Sequence, residues 1–339
     1  MIHARFTHTS YEAGYRWGKR LYDHGFHIHQ NTHFVIDEKR KNFASLCMPI
    51  YERYAQNILS EIKGIADGQK MPFEELCAFL FSMYCFDLDH HCTCFACYDD
   101  DHIFLARNSD FLTEMEQQYM NCLYQCSDMI PFQANTTAFV QMEDGMNAYG
   151  LAVGLTFVYT NQRKPGLNGG MLIRYLLEHC RNVKDACAIL QRIPIASSQT
   201  LTMADSQGNL LVVECMPDHI ETIKPNQNKP FVAGVNRFQT STLKQFHVQG
   251  VDDWRSMERY QTVRNTLHQH ASDFSLQLVE DILSGNYGFM CQYDRKQGAD
   301  TVWSVVYDVK ANAIYRVEGN PSRRAFKEDL RWKKISEHI

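Results

Sequence analysis

Three of the twelve cysteines in this chain cluster as Cys92, Cys94 and Cys97, within Cys92-Thr93-Cys94-Phe95-Ala96-Cys97-Tyr98. This run reads as a strand. Asp99-Asp100-Asp101 reads as a turn, because short acidic side chains tolerate turn backbones, and His102 to Arg107 reads as the returning strand. If the turn centres near Asp100 or Asp101, residues whose numbers sum to about 201 face each other across the hairpin. Within a residue or two, that places Arg107, Asn108 and Asp110 beside Cys92. Positive charge stabilises a thiolate, and a carboxylate can orient the arginine or an amine, so the group suits a thiol nucleophile. Cys94 points to the same strand face and is the rival. The plain alternative is a surface hairpin carrying an ordinary ion pair. His90 and His91 with the three cysteines raise metal binding, but Cys-x-Cys within a strand lacks the ligand spacing of zinc sites, so no metal and no cofactor is expected. His24, His27, His29 and His33 read as solvated or locally hydrogen-bonded.

The surrounding pattern supplies the elements that position this hairpin. From Asp37 to Ile65, apolar residues recur at spacings of three and four, which predicts one long helix. Pro72 suits a first turn, and a second helix runs from Glu74 to Cys85. The first third thus reads as helical cover. Strands are expected at Thr137 to Met142, Leu151 to Tyr159, Thr200 to Ala204, Leu210 to Cys215 and Phe231 to Val235. Helices are expected at Gly170 to Cys180, Val183 to Arg192, Met257 to His268 and Ser275 to Leu283. A hairpin closes the chain, from Val302 to Val309 and Ala313 to Val317. This mixture predicts a layered α+β domain with largely antiparallel sheets.

Composition narrows the function classes. The 339 residues carry 34 basic and 39 acidic side chains, a net charge of −5, which argues against nucleic-acid binding by bulk electrostatics. No stretch approaches the roughly 18 uninterrupted apolar residues of a membrane helix. The first residues lack a signal-peptide core, so the expected location is cytoplasmic with reduced thiols. Cys47, Cys77, Cys85, Cys180 and Cys187 lie in apolar runs and read as small buried hydrophobes.

Cys92-Thr93 followed by Arg107-Asn108-Ser109-Asp110 resembles the start of the N-terminal-nucleophile (Ntn) cysteine hydrolases: the choloylglycine hydrolases, the penicillin V acylases and the acyl-CoA:6-aminopenicillanic acid acyltransferases (peptidase family C45). Further segments agree in order: Tyr11-Glu12-Ala13-Gly14 with Gly18, Glu61 to Gly68, Gly145-Met146-Asn147 with Gly150-Leu151, and Asp205 with Gly208. Val235-Asn236, Trp303 to Asp308 and Gly319-Asn320-Pro321 complete the series.

The resemblance implies a four-layer αββα sandwich over 92–339, preceded by a helical segment 1–91 that is either released or retained. It implies self-cleavage between His91 and Cys92, with Cys92 as nucleophile and its freed α-amine as base, so no catalytic histidine is needed. It also implies that Asp110 holds the amine and Arg107 supports thiolate and carboxylate. Asn236 would donate to the oxyanion, joined more loosely by the Thr156 N–H, and Arg259 would be a buried supporting charge. The substrate implied is a small N-acyl amide, hydrolysed or transferred through an acyl-thioester; a homo-oligomer is compatible with this. The pattern departs at His91, where the acyltransferase branch presents glycine, which eases a strained backbone. The alternative is a catalytically silent member that binds an acylated small molecule.

Overall fold

The structure, a computed structural model, describes residues 1–31, 34–86, 91–226, 229–271 and 273–336. In chain order its elements are β1 (Ile2–His8), α1 (Ser10–Asp23), α2 (Glu38–Tyr54), α3 (Gln56–Gln69), α4 (Phe73–Ser82), β2 (His91–Tyr98), β3 (Ile103–Leu112) and β4 (Met120–Cys126). There follow β5 (Phe132–Thr136), β6 (Asp144–Asn147), β7 (Ala152–Phe157), α5 (Gly169–His179), α6 (Val183–Leu190), β8 (Gln199–Ala204), β9 (Leu210–Met216), β10 (His219–Ile223) and β11 (Phe231–Gly234). The chain ends with α7 (Ser256–Gln269), α8 (Leu276–Leu283), β12 (Ala299–Asp308), β13 (Ala313–Glu318), β14 (Lys327–Glu328) and α9 (Leu330–Ser336).

Among the described residues, these strands form two sheets, ordered β1-β4-β5-β6-β7-β8-β9-β10 and β11-β2-β3-β12-β13-β14. The side-chain alternation of β2 shows how they stack. Cys94 and Ala96 point into an apolar layer shared with Met146, Ala152 and Val212 of the first sheet. Phe95 and Cys97 point the other way, onto Val263 and Leu267 of α7 and Val279 and Ile282 of α8. A third apolar layer joins the outer face of the first sheet to α5 and the N-terminal helices, through residues such as Val153, Leu155, Leu172, Ile58 and Ile62. Three apolar layers make four layers of structure, the αββα sandwich expected. Strands covered on both faces also explain why β2 is apolar at nearly every position.

The N-terminal segment differs from its expected all-helical form. It opens with β1, which pairs in parallel with β4 from Ile2↔Met120 to His8↔Cys126. The single helix expected from Asp37 to Ile65 is two, broken at Ala55 (φ −127°). The periodicity runs through the break because both pieces turn their apolar faces to one core. Gly14 and Gly18 of α1 meet Gly64 and Gly68 of α3; a Cβ on Gly68 would lie 2.5 Å from the Lys19 nitrogen and the Tyr15 carbonyl oxygen. The two N-terminal glycine motifs are thus the two sides of one close helix crossing. Beside it, Glu61 of α3 accepts from Arg174 Nη2 of α5 at 2.6 Å and from the Tyr124 hydroxyl of β4 at 2.8 Å. Arg174 Nε also reaches Glu178 at 2.5 Å. A boundary at residue 91 therefore runs through a shared core.

The strand expected at Thr137 to Met142 is absent; those residues form the irregular approach to β6. Cys47, Cys77, Cys85 and Cys180 are buried and Cys187 half-buried, all as free thiols. No helix among the described residues is long and apolar enough to cross a membrane.

The ion pair under α3 gives a test. Glu61→Ala leaves the buried Arg174 with Glu178 as its remaining counter-charge. Melting should show a loss of about 3–5 kcal/mol, whereas a change within about 0.5 kcal/mol would mean the pair does not fasten the N-terminal segment.

Candidate active site

The β2–β3 hairpin holds the site. Its register keeps the inferred sum throughout: His91 faces Asp110, Cys92 faces Ser109, Thr93 faces Asn108 and Cys94 faces Arg107. Cys92 Sγ lies 2.8 Å from Arg107 Nη2. Two further contacts grip the backbone of the same residue. Its N–H donates to Asn236 Oδ1 at 3.0 Å, and its carbonyl accepts from Arg259 Nη1 at 2.7 Å. Arg259 Nη2 in turn reaches Asn236 Oδ1 at 3.0 Å.

Arg107 is fully buried, so every part of its guanidinium must be matched. Nη1 meets Asp144 at 2.7 Å, Nη2 meets Glu143 at 3.0 Å, and Nε donates to the Leu155 carbonyl at 2.9 Å. Neither carboxylate was among the site residues read from sequence. Asp144 is fixed by the Tyr307 hydroxyl at 2.6 Å and Trp303 Nε1 at 2.9 Å. The adjacent acids before Gly145-Met146-Asn147 were the available signal, since an arginine placed on a buried strand requires counter-charge.

The edge of β7 explains how these side chains find backbone partners. Leu155 N donates to Glu143 O, but Glu143 N turns away to Asn135 O. The Leu155 carbonyl is left for Arg107, and two residues on the Phe157 carbonyl takes Asn236 Nδ2 at 2.9 Å. Thr156 has the opposite parity. It pairs with Thr200, and Val158 N donates to Ser198 O on that same side. The Thr156 N–H is therefore directed into the ladder with β8, away from Cys92, and its hydroxyl bonds Thr200 and the Val235 carbonyl. The N–H on the site edge belongs to Phe157.

Asp110 lies on the other side of the cysteine. It accepts from Thr301 Oγ1 at 2.6 Å and the Tyr293 hydroxyl at 3.0 Å, and faces Arg259 at 3.6 Å. Burial pushes its carboxyl up to about 6, against the pull of Arg259. Arg259 is no solvated helix charge. It is fully buried and also takes the carbonyls of Asp253 and Trp254, at 2.9 and 3.0 Å. Trp254 and Arg255 both have left-handed backbone (φ 49° and 59°), which for such residues is a strained conformation held by its surroundings. The Trp254 ring stacks on His91, centroids 4.1 Å apart, and the Tyr159 hydroxyl is 3.3 Å from His91 Nε2. His91 and Cys92 are 1% and 2% exposed, so the thiol is sealed from solvent.

Arg107 favours a thiolate at Cys92, as expected, and burial opposes it. Burial pushes the Cys92 thiol up to about 12; Arg107 pulls it down, but Glu143 and Asp110 push with the burial. Cys94, the rival, is buried in the intersheet layer beneath Gly154 and is also raised to about 12 by burial. Among the described residues no group of three or more His, Cys, Asp or Glu side chains is placed to hold a metal ion. His33 and His90 lie outside the described residues.

Gly154 tests the packing under Arg107. A Cβ there would lie 2.5 Å from Cys94 Sγ and 3.3 Å from Arg107 Cδ. Gly154→Ala should cost about 1–3 kcal/mol in melting, and Cys94→Ala in the same chain should recover part of it. Strictly additive effects would show that the two do not share one space.

The model of the acyl-coenzyme A:6-aminopenicillanic acid acyl-transferase family matches residues 97–323, beginning after Cys92 and spanning Arg107, Asp110, Glu143, Asp144, Asn236 and Arg259. No curated protein matches. Similar solved structures include a mutant conjugated bile acid hydrolase from Clostridium perfringens, 13% identical over 70% of this chain and 92% of that one, with a TM-score of 0.48. Penicillin V acylase from Agrobacterium tumefaciens is 16% identical over 67% and 82%, with a TM-score of 0.42. A second variant of the Clostridium perfringens enzyme is 11% identical over 73% and 86%, with a TM-score of 0.39. Since the family match covers more than half of the sequence, the chain belongs to the acyl-coenzyme A:6-aminopenicillanic acid acyl-transferase family.

Proposed function

We propose that this chain is a cysteine-dependent amide hydrolase or acyltransferase that acts on a small N-acyl compound, and that it activates itself by cutting between His91 and Cys92. The observation that carries the reading is the grip on Cys92: its sulfur, its nitrogen and its carbonyl each meet a different buried side chain. Such convergence on one thiol residue is what preorganised nucleophilic catalysis requires. Family membership supports acyl transfer as the reaction class.

In the cut enzyme the α-amine of Cys92 takes the thiol proton. The sulfur bonds the substrate acyl carbon, the C–N bond breaks, and the amine returns the proton to the leaving nitrogen. Water or an acceptor amine then resolves the thioester. Asn236 Oδ1 already holds the Cys92 nitrogen and keeps that role for the amine, with Asp110 and its Tyr293 and Thr301 donors on the far side. The oxyanion is met by Asn236 Nδ2 after it gives up the Phe157 carbonyl. The Phe157 N–H, on the open edge of β7, takes the part first expected of Thr156.

A silent binder is the second reading, and His91 is the observation on its side. A bulky residue precedes the cysteine, and it is stacked and buried rather than strained.

Intact mass under denaturing conditions separates the two. Freshly purified wild-type protein should give two fragments that break between His91 and Cys92, and Cys92→Ala a single chain. The cut protein should release a carboxylic acid from N-acyl amides, and an added amine that diverts the acyl group identifies a transferase. A wild-type chain that stays whole and inert favours the binder.

A further inference from the structure

Before the cut there is no α-amine, because the Cys92 nitrogen is still a peptide amide. With the thiol raised by burial, the first attack needs another proton acceptor. We propose that Glu143 is that acceptor, the general base of self-cleavage; this rests on the reading of Cys92 given above.

Position argues for Glu143 over the other carboxylates. Its Oε2 and the Cys92 sulfur share one nitrogen, Arg107 Nη2, at 3.0 and 2.8 Å. Ser109, directly opposite Cys92 in the hairpin, donates to the same Oε2 at 3.2 Å. Thr137 Oγ1 fixes Oε1 at 2.6 Å, and the backbone of Glu143 is tied to Asn135 and Leu155. The carboxylate is thus held on a rigid support, one shared guanidinium nitrogen away from the thiol. Asp144 is turned away and occupied by Arg107, Trp303, Tyr307 and Asn135. Asp110 is bound by Thr301, Tyr293 and Arg259. Of the two carboxylates that raise the Cys92 thiol, Glu143 acts more strongly than Asp110.

The step balances. The thiol proton passes to Glu143 as sulfur bonds the His91 carbonyl carbon. The tetrahedral intermediate collapses with loss of the C–N bond, and Glu143 returns the proton to the Cys92 nitrogen. The products are a thioester and a free amine. Water then releases the His91 carboxylate and regenerates the thiol. From there the amine serves as base, and Glu143 remains as the partner of Arg107.

The test follows full-length chains by intact mass over time from pH 5 to 9, with and without hydroxylamine, which cleaves a thioester. Glu143→Gln, nearly isosteric but unable to accept the proton, should cut at least about a hundredfold more slowly than wild type. It should build no hydroxylamine-sensitive species and melt near the wild-type temperature. Glu143→Asp should cut at an intermediate rate with a shifted acidic limb. Formate should restore cutting to Glu143→Ala, which a purely structural role would not allow. Cutting of Glu143→Gln within about threefold of wild type, or thioester formation at the wild-type rate, overturns the assignment. If Glu143→Gln fails to fold, an unchanged pH profile in folded Glu143→Asp overturns it equally. A wild-type chain that neither cuts nor responds to hydroxylamine instead overturns the reading of Cys92 itself.

Discussion

A guanidinium with no exposed surface sits between the two sheets, and much of the site follows from satisfying it. Arg107 needs counter-charge, which Glu143 and Asp144 provide, and a backbone acceptor, which Leu155 provides. That acceptor exists because β6 ends at Asp144 and leaves the β7 edge open. The arginine passes beneath β7 because residue 154 is glycine. Trp303 and Tyr307 of β12 hold Asp144 in turn. Buried ion pairs seldom repay their desolvation in stability. This one places a cation against one sulfur.

The charge balance around that sulfur bears on the proposed cut. Arg107 and Arg259 face Asp110, Glu143 and Asp144, so ionising Cys92 would add negative charge to a buried site that already carries an excess. Burial and that excess favour the protonated thiol. If the chain cuts before Cys92 as proposed, the freed amine would take the thiol proton and become the missing cation beside Asn236 and Asp110. The same cut would free the backbone of His91, whose ring stacks on Trp254.

Hairpin geometry was the most legible part of the sequence. An acidic turn and two apolar runs were enough to set Cys92 near Arg107, Asn108 and Asp110 within a residue or two, and the register, which follows that sum, puts Ser109 directly opposite. Other elements were hidden for definite reasons. β4 and β5 carry Asn121, Gln133 and Asn135 at buried positions, which makes them read as loops. The amides in fact bond one another across the ladder: Asn121 Nδ2 to Asn135 Oδ1 and Gln133 Nε2 to Asn121 Oδ1, both at 2.8 Å. Glu143 is not legible in the sequence as part of the site because it meets a charge thirty-six residues away. Where the Thr156 N–H points was hidden because strand parity follows from the ladder with β8 rather than from motif order.

If cutting supplies the missing charge, the reactivity of a single thiol records it. The direct measurement is the rate of Cys92 alkylation by iodoacetamide at pH 7, read by peptide mapping in a preparation that holds uncut and cut chains together. Cys92 should react at least about tenfold faster in the cut chains. In the uncut chains it should label as slowly as Cys94 and Cys97. Equal labelling of Cys92 in both forms, or Cys94 reacting first, would contradict the assignment of Cys92 as a nucleophile switched on by its own amine.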